Sequence, residues 1–228
     1  MTLDELRHEV YHANMELSKY HLVKLTWGNV SGIDRKAGVI AIKPSGVEYS
    51  KMRPEDIVLV DLDGNVVDGR LKPSSDTMTH CVLYRSFKEI GGVVHTHSTF
   101  ATAWAQAGSC IPDLGTTHSD HFLGTIPCTR DMDRAEIAGD YEKETGNLIV
   151  ETFCDADPMN VPAVLVKNHG PFCWGTDAIS AVENAIVLEE IARIAYYTLN
   201  INGAPTISED LIRRHFFRKH GKNAYYGQ

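Results

Sequence analysis

Apolar residues recur every three or four positions along several stretches of the chain, and this spacing predicts amphipathic helices. The first stretch runs from Leu3 to Leu17, and the longest covers residues 176–199. Further helices are predicted at 74–87, at 99–107, within 133–145 and at about 206–219.

Short apolar runs bounded by polar, glycine-bearing turns alternate with these helices and predict strands. Two runs lie within residues 26–46, and residues 57–67 predict a hairpin that turns at Asp63-Gly64. Other strands are expected around 93–97, near 148–154 and at 163–167, whereas 108–130 is a loop-rich segment. Because no repeat, low-complexity tract or linker divides this α/β pattern, residues 1–228 are predicted to form a single domain.

The composition of the 228-residue chain is that of an ordinary globular protein, with 43% hydrophobic and 23% charged residues. Its formal net charge of −8 argues against non-specific binding to nucleic acid or to an anionic membrane. No run approaches the roughly 20 apolar residues of a membrane-spanning helix, and the charged, helix-patterned N-terminus resembles neither a signal peptide nor an anchor. The 5 cysteines are scattered and lack Cys-x-x-Cys spacing, which favours the reducing cytoplasm.

Two histidines separated by one residue end the apolar part of VVHTHSTF. Because side chains alternate along a strand, His95 and His97 are predicted to share a face, where two imidazoles can chelate one metal ion. A third histidine, His169, follows another apolar strand and precedes Gly-Pro, which predicts a sharp turn beside a cleft. Together the three favour a metal site with open positions over partly buried structural histidines. Imidazole and carboxylate ligands suit Zn²⁺, Mn²⁺ and Co²⁺ alike.

Two similar turns, IKPSG at 42–46 and KPSSD at 72–76, each offer serine hydroxyls and backbone N–H groups. The second turn opens a predicted helix, whose N-terminal dipole favours an anion. Neither turn contains the Gly-x-x-x-x-Gly-Lys pattern of a nucleotide-binding loop. The turns therefore predict a small phosphate pocket, with plain helix capping as the alternative. Its walls would be Lys43, Ser45, Gly46, Ser74 and Ser75.

Two aspartates are candidates for proton transfer. Asp76 closes the second of these turns, and Asp120 lies between His118 and His121 in a segment with few other charges. The alternative for Asp120 is a turn cap, and His118 and His121 are themselves candidate metal ligands. The three tryptophans are expected in the core: Trp27, Trp104 and Trp174.

Several longer strings resemble one family in their order as well as in their residues. They include TWGNVSGID, KPSSDTMTH, IGGVVHTHSTFATAWAQAG, GTTHSDHFLGTIPCTR, HGPFCWG and RKHGKNAYYGQ. From about residue 2 to Gln228 the chain resembles the L-ribulose-5-phosphate 4-epimerases, the epimerase branch of the class II aldolase superfamily. His121 and Leu123 depart from the pattern, which has aromatic residues there, and this leaves fine substrate preference open.

This resemblance implies a three-layer α/β/α fold around a mostly antiparallel sheet, assembled as a cyclic homotetramer with active sites shared between adjacent subunits. It implies one divalent metal per subunit, usually zinc, held by His95, His97 and His169. Asp76 would lie near this metal or serve as a fourth ligand. The substrate would be a pentulose 5-phosphate.

The resemblance also assigns catalytic and substrate-binding positions. The catalytic aspartate falls on Asp120, and the catalytic tyrosine falls on Tyr226, which the neighbouring subunit supplies. The pocket for the substrate phosphate would comprise Gly28, Asn29, Lys43, Ser45, Gly46, Ser74 and Ser75. Further positions that line the family's pocket are Thr116, Thr117, Glu142, His215 and Arg218.

The implied reaction interconverts L-ribulose 5-phosphate and D-xylulose 5-phosphate. The C4 hydrogen of such a ketose is not acidic, but C4 is β to the C2 carbonyl, so cleavage and re-formation of the C3–C4 bond is the accessible route. The alternatives are a sugar-phosphate aldolase of the same superfamily, a metal-dependent phosphoesterase and a non-catalytic sugar-phosphate-binding protein. The pathway stays open between arabinose, ascorbate and other pentose routes.

Overall fold

A computed structural model describes residues 2–221 and 224–226 of the chain. Within that part, seven strands form one antiparallel sheet in the order β4-β3-β2-β1-β5-β7-β6. The strands are β1 Asn29–Asp34, β2 Val39–Ile42, β3 Val58–Asp61, β4 Val66–Asp68, β5 Gly92–His95, β6 Ala163–Val166 and β7 Gly170–Gly175.

Eight α-helices connect and cover these strands in the described part of the chain. They are α1 Leu3–Lys19, α2 Thr77–Ser86, α3 Thr99–Ala107, α4 Thr116–Ser119, α5 Arg134–Ala138, α6 Tyr141–Thr152, α7 Ala178–Ile201 and α8 Glu209–Lys219. Among the described helices, including the 24 residues of α7, none combines the length and apolar character needed to cross a membrane.

Two apolar cores lie on opposite faces of the sheet, because neighbouring strand residues point to opposite sides. In β5, Val93 packs into the core beneath α2 and α6, whereas Val94 packs into the core beneath α1, α3 and α7. Helices therefore cover both faces of the antiparallel sheet. The predicted three-layer α/β/α fold is confirmed.

One predicted strand is wrong. Residues 148–154, expected to be extended, form the end of α6 and the turn that follows it. Their short apolar run fits either element, since Leu148 and Ile149 are buried by helical spacing as well as they would be in a strand. Close packing of α6 on α2 favours the helical conformation of these residues over the extended one.

The sharp turn near His169 lies at Asn168, before the histidine, and not at Gly170-Pro171 as the sequence predicted. Asn168 adopts a left-handed φ of 63° and turns the chain after β6, so that Gly170 and Pro171 begin β7 rather than bend it. Residues Gly170–Gly175 were not predicted as a strand. This earlier turn places His169 beside the end of β5, because β5 and β7 are hydrogen-bonded neighbours.

Candidate functional site

Three histidines meet at one edge of the sheet. His95 ends β5, His97 follows it by two residues, and His169 lies in the turn between β6 and β7. Their ring centroids are 4.9, 4.7 and 5.1 Å apart, and one ring nitrogen of each lies within 4.8 Å of the others. The sequence prediction that these three residues come together is therefore met by the geometry.

The orientation of His95 is fixed by its surroundings. Its Nδ1 donates to the carbonyl oxygen of Pro171 at 3.0 Å, and its ring stacks on Phe172 at 4.2 Å. This bond leaves Nε2 directed at the other histidines, 3.1 Å from Nε2 of His97. A backbone carbonyl that holds the far ring nitrogen is a common support for a metal-binding histidine.

Burial favours the neutral form of two of these imidazoles, His97 and His169. Burial, together with neighbouring His95 and His97, lowers the pKa of His169 to about 4. Burial and His95 also lower the pKa of His97 from its ordinary value. Neutral imidazole is the form that binds metal ions, so these two pKa shifts favour metal binding at neutral pH.

Asp76 lies on the wall of the same cavity, where it caps the N-terminus of α2. Its Oδ2 accepts from Nδ2 of Asn29 at 2.6 Å. Burial acts to raise the pKa of Asp76, but the nearby His95 and His80 and the Asn29 bond outweigh it, and the net pKa is lowered. The clustered ligand atoms in the described residues belong to the three histidines and do not include Asp76.

A cavity of about 550 Å³ opens in front of the histidines. A separate cavity of about 680 Å³ beside α1 contains none of the predicted site residues. The histidine cavity brings together Asp76 and eight other predicted positions: Gly28, Asn29, Lys43, Ser45, Gly46, Ser74, Ser75 and Glu142.

Two aromatic residues of this cavity were missed by sequence reasoning. Trp27 was expected in the core but is 53% exposed and lines the cavity, with its ring 6.0 Å from that of His97. The hydroxyl of Tyr141 lies 3.4 Å from Nδ1 of His169. The position of Trp27 directly before Gly28 was the available signal for its place at the site. Trp174 is fully buried, as expected.

The two predicted phosphate turns are joined by backbone hydrogen bonds. Ser45 N donates to Lys72 O at 2.9 Å, and Ser74 N donates to Lys43 O at 3.0 Å. Gly46 has a left-handed φ of 70°, which glycine adopts without strain. Among the described residues, no acceptor faces the N–H groups of Gly46 and Ser75. Free N–H groups at a helix N-terminus suit an anion.

Lys43 supplies positive charge beneath these turns. The side chain is only 1% exposed, and Nζ donates to the carbonyl oxygens of Val47 at 2.9 Å and Pro44 at 3.3 Å. Nζ also lies 4.9 Å from the centre of the Tyr49 ring. Burial lowers the pKa of Lys43 to about 8, so its ammonium is retained at neutral pH.

Asp120 belongs to a second cluster, where α4 meets α8. Nη2 of Arg218 donates to both carboxylate oxygens, Nδ1 of His215 lies 2.9 Å from Oδ1, and Nζ of Lys219 lies 3.5 Å from Oδ2. Partial burial acts to raise the pKa of Asp120, but the hydrogen bonds from Arg218 and His215 outweigh it. The net pKa is lowered, and the carboxylate is ionised at neutral pH.

Tyr226 lies in this second cluster as well. The guanidinium of Arg218 lies 4.4 Å from the centre of the Tyr226 ring, and Tyr226 N donates to Arg218 O at 3.0 Å.

Of the other predicted positions, Thr116 accepts the backbone bond from Asp120 N, whereas Thr117 lines a small cavity against α7. Among the described residues that line the histidine cavity, neither Asp120 nor Tyr226 occurs. The predicted site residues thus form two groups within one chain.

Comparison with known proteins adds evidence of descent. The sequence profile of the class II aldolase and adducin N-terminal domain family matches residues 8–196. Two proteins named L-ribulose-5-phosphate 4-epimerase UlaF, from Salmonella paratyphi A (strain ATCC 9150 / SARB42) and Salmonella typhi, are each 55% identical to the chain over 227 residues, 99% of this chain and 100% of theirs. The L-fuculose 1-phosphate aldolase from Glaciozyma antarctica PI12 has a TM-score of 0.78 at 18% identity, over 97% of this chain and 84% of its own. That likeness concerns the fold.

Proposed function

The chain belongs to the class II aldolase and adducin N-terminal domain family, and we propose that it is an L-ribulose-5-phosphate 4-epimerase. The enzyme would interconvert L-ribulose 5-phosphate and D-xylulose 5-phosphate through cleavage of the C3–C4 bond. The observation that supports this proposal is one cavity lined both by the three-histidine cluster and by the two predicted phosphate turns. A full-length likeness of 55% to proteins named as this epimerase supports it.

A divalent cation fits the histidine cluster. The donor set is three imidazoles, and a carbonyl oxygen already orients one of them. We propose His95, His97 and His169 as ligands, with the Asp76 carboxylate beside them. We propose Zn²⁺ as the ion, with Mn²⁺ and Co²⁺ as alternatives. When bound, such an ion acts as a Lewis acid toward the C2 carbonyl.

The paired turns would hold the substrate phosphate. Gly46 and Ser75 offer free N–H groups, Ser45 and Ser74 offer hydroxyls, and the buried ammonium of Lys43 adds charge behind them. Fixing the phosphate leaves the carbonyl end of the pentulose to reach the histidines across the same cavity. Glu142 and Tyr141 lie on the cavity wall, where they limit the room around the sugar hydroxyls.

Proton transfer would fall to Asp120 and Tyr226. Bond cleavage requires that the C4 hydroxyl lose its proton, and the reverse addition requires that the new alkoxide at C4 regain one. Asp120 is an ionised carboxylate and can accept this proton, and the Tyr226 phenol can donate one. Epimerisation follows when the aldehyde rotates between the two steps and is attacked on its other face.

We propose a cyclic homotetramer in which Asp120 and Tyr226 of one subunit complete the histidine cavity of the next. The support is the division of the site within a single chain, since both residues contact Arg218 and neither lines the cavity. Tyr226 is 53% exposed, so its ring can take part in a contact with another subunit. We propose a cytoplasmic location, which the scattered cysteines without Cys-x-x-Cys spacing favour.

The test is incubation of the purified protein with L-ribulose 5-phosphate and detection of D-xylulose 5-phosphate, with and without a chelator. The proposal expects product only when the metal is present. Net release of glycolaldehyde phosphate would identify an aldolase instead. Release of inorganic phosphate would identify a phosphoesterase, and binding without turnover would identify a binding protein.

A further inference from the structure

A row of polar side chains lies buried between α2 and β1, behind the histidine cavity. Asn29 and Ser31 are two residues apart on β1 and therefore share one face of the strand. Asp76, His80 and Tyr84 are four residues apart along α2 and therefore share one face of the helix. We call these five residues the α2–β1 seam. It runs from the cavity wall into the core.

Hydrogen bonds connect the deep end of the seam. Ser31 Oγ lies 2.7 Å from Nδ1 of His80 and 2.8 Å from the hydroxyl of Tyr84, and the exposed fraction of all three residues is 0%. The other end is joined as well, since Nδ2 of Asn29 donates to Asp76. Ser31, His80 and Tyr84 belong to none of the catalytic or phosphate-binding groups described above, whereas Asn29 and Asp76 line the histidine cavity.

The positions of the protons follow from the partners available. A buried phenol must donate its proton, and Ser31 Oγ is the hydrogen-bond acceptor that the described structure offers to Tyr84. The proton of the Ser31 hydroxyl then has one acceptor left among its described partners, Nδ1 of His80, and Ser31 donates to it. The neutral ring of His80 then carries its single proton on Nε2. The chain of bonds thus selects one tautomer.

This Nε2–H group is buried and has no hydrogen-bond partner among the described residues. The candidate acceptor is the carboxylate of Asp76, which lies on the same face of α2. The edge of the ring is packed against Phe172 at 6.1 Å, and the backbone N–H of His80 donates to Asp76 O at 3.1 Å, one helical turn back. The carboxylate of Asp76 acts electrostatically on the His80 ring, and the ring acts on it. The buried donor and the half-buried carboxylate therefore lie one helical turn apart on the same face of α2, beyond direct hydrogen-bonding distance.

We propose that His80 is a positioning residue for the metal site: it donates Nε2–H to the Asp76 carboxylate through one water molecule, and holds that carboxylate toward the histidines. Tyr84 and Ser31 keep the ring in the tautomer that can donate. Asn29 holds the other side of the same carboxylate. The inference rests on the metal site proposed above and adds a residue that does not line the cavity.

The proposed role of His80 predicts how much its replacement should change metal affinity. Residues that orient metal ligands or their neighbours typically change metal affinity by 10- to 100-fold when they are replaced. His80 would act on affinity without any contact to the metal or the sugar. A purely structural role, in which His80 only satisfies Ser31, would change the melting temperature and leave metal affinity as it is.

Two amide substitutions separate these roles. In His80→Asn, the amide replaces Nδ1, keeps the bond to Ser31 and loses the donor toward Asp76. In His80→Gln, the longer amide reaches the place of Nε2 and keeps that donor, but loses the bond to Ser31. We expect His80→Asn to weaken Zn²⁺ binding by at least about 10-fold and His80→Gln to weaken it by less than about 3-fold.

The measurement is the dissociation constant of Zn²⁺ from the metal-free protein, by competition with a chromogenic chelator. His95→Ala serves as the baseline for binding elsewhere, and melting temperatures report folding. If His80→Asn does not fold, Tyr84→Phe replaces it, because loss of the phenol frees the tautomer and should weaken Zn²⁺ binding several-fold.

The possible results are distinct. Equal affinities of His80→Asn and His80→Gln, weaker binding by His80→Gln, or unchanged affinity in Tyr84→Phe would each overturn the role of His80. Absence of Zn²⁺ binding or of epimerase activity in the wild-type protein would instead overturn the proposed function.

Discussion

The guanidinium of Arg218 donates to both carboxylate oxygens of Asp120, at 2.8 and 2.9 Å, although the two residues are 98 positions apart in the chain. The same guanidinium lies over the ring of Tyr226. A single side chain of α8 thus organises both groups proposed for proton transfer. It does so away from the histidine cavity of its own chain, which gives the proposed shared site its physical basis.

Replacement of Asp120 by asparagine tests the proton-transfer role. Asp120→Asn keeps the shape of the side chain but cannot accept the proton of the C4 hydroxyl. We expect turnover to fall by roughly 10²- to 10⁴-fold while the zinc content per subunit is unchanged. Steady-state kinetics and metal analysis measure the two quantities. Asp63→Asn, at an exposed hairpin position, is the control and should behave as wild type. Normal turnover of Asp120→Asn would exclude this role.

Removal of single histidines tests the metal site. His95→Ala, His97→Ala and His169→Ala should each abolish epimerase activity and lower the zinc content, with the fold preserved because none of the three belongs to the two apolar cores. Circular dichroism and metal analysis are the measurements. His12→Ala, on the exposed side of α1, should retain both activity and zinc. Full activity of metal-free wild type would contradict the account. Unfolding of all three variants would indicate a structural metal.

The low pKa of Lys43 makes a pH-dependent prediction. In the free protein this ammonium loses its proton near pH 8, because burial disfavours the charged form. A bound phosphate dianion favours the charged form and raises the pKa. Affinity for the phosphate dianion should therefore be constant well below pH 8 and fall as the pH rises through 8 and beyond, with proton uptake by Lys43 on binding.

Calorimetry with inorganic phosphate, in buffers of different ionisation enthalpy, measures this uptake directly. Lys43→Met should bind phosphate more weakly and without proton uptake near pH 8. Uptake that persists in Lys43→Met would assign the titration to another group.

The close packing of α6 on α2 predicts an unusual effect of alanine. Gly to Ala inside a helix normally stabilises by about 1 kcal/mol. At Gly146, however, a Cβ would lie 2.7 Å from Cβ of Val82, so we expect Gly146→Ala to destabilise by roughly 1–3 kcal/mol. Chemical denaturation measures the change. Asn147→Ala, one exposed position further along α6, is the control and should be nearly neutral. A more stable Gly146→Ala would show that α2 can move aside.

Local sequence signals predicted the histidine cluster because the residues lie at strand ends. His95 and His97 are positioned by the alternation of β5, and His169 by the turn that follows an apolar strand. The phosphate turns were predictable for a similar reason, since IKPSG and KPSSD carry their own turn and cap residues. Each of these features depends on a few neighbouring positions.

Other features depended on contacts that no local pattern encodes. The end of α6 looked like a strand because its apolar run is short, and packing on α2 decided its form. The bond from His215 to Asp120 spans 95 positions, and the seam from β1 to α2 joins Ser31 to His80 across 49. Such long-range pairs follow from topology, which the sequence pattern alone leaves open.

The shared site is the central claim, and reassembly of two inactive variants tests it most directly. His97→Ala lacks an intact histidine cluster, and Tyr226→Phe lacks the phenol. In a randomly mixed ring, a site is intact when its histidines come from the Tyr226→Phe parent and its tyrosine comes from the His97→Ala parent. Each condition is met with a chance of about one half, so about a quarter of the sites are intact.

The measurement is the epimerase activity of the two parents after they are dissociated and reassembled together in equal amounts. The account predicts recovery of roughly a quarter of wild-type activity. Mass spectrometry of the intact assemblies confirms that mixed rings have formed. If the histidines and Tyr226 served the same site within one chain, every site would still carry one defect. Mixed rings without any recovered activity would therefore contradict the account.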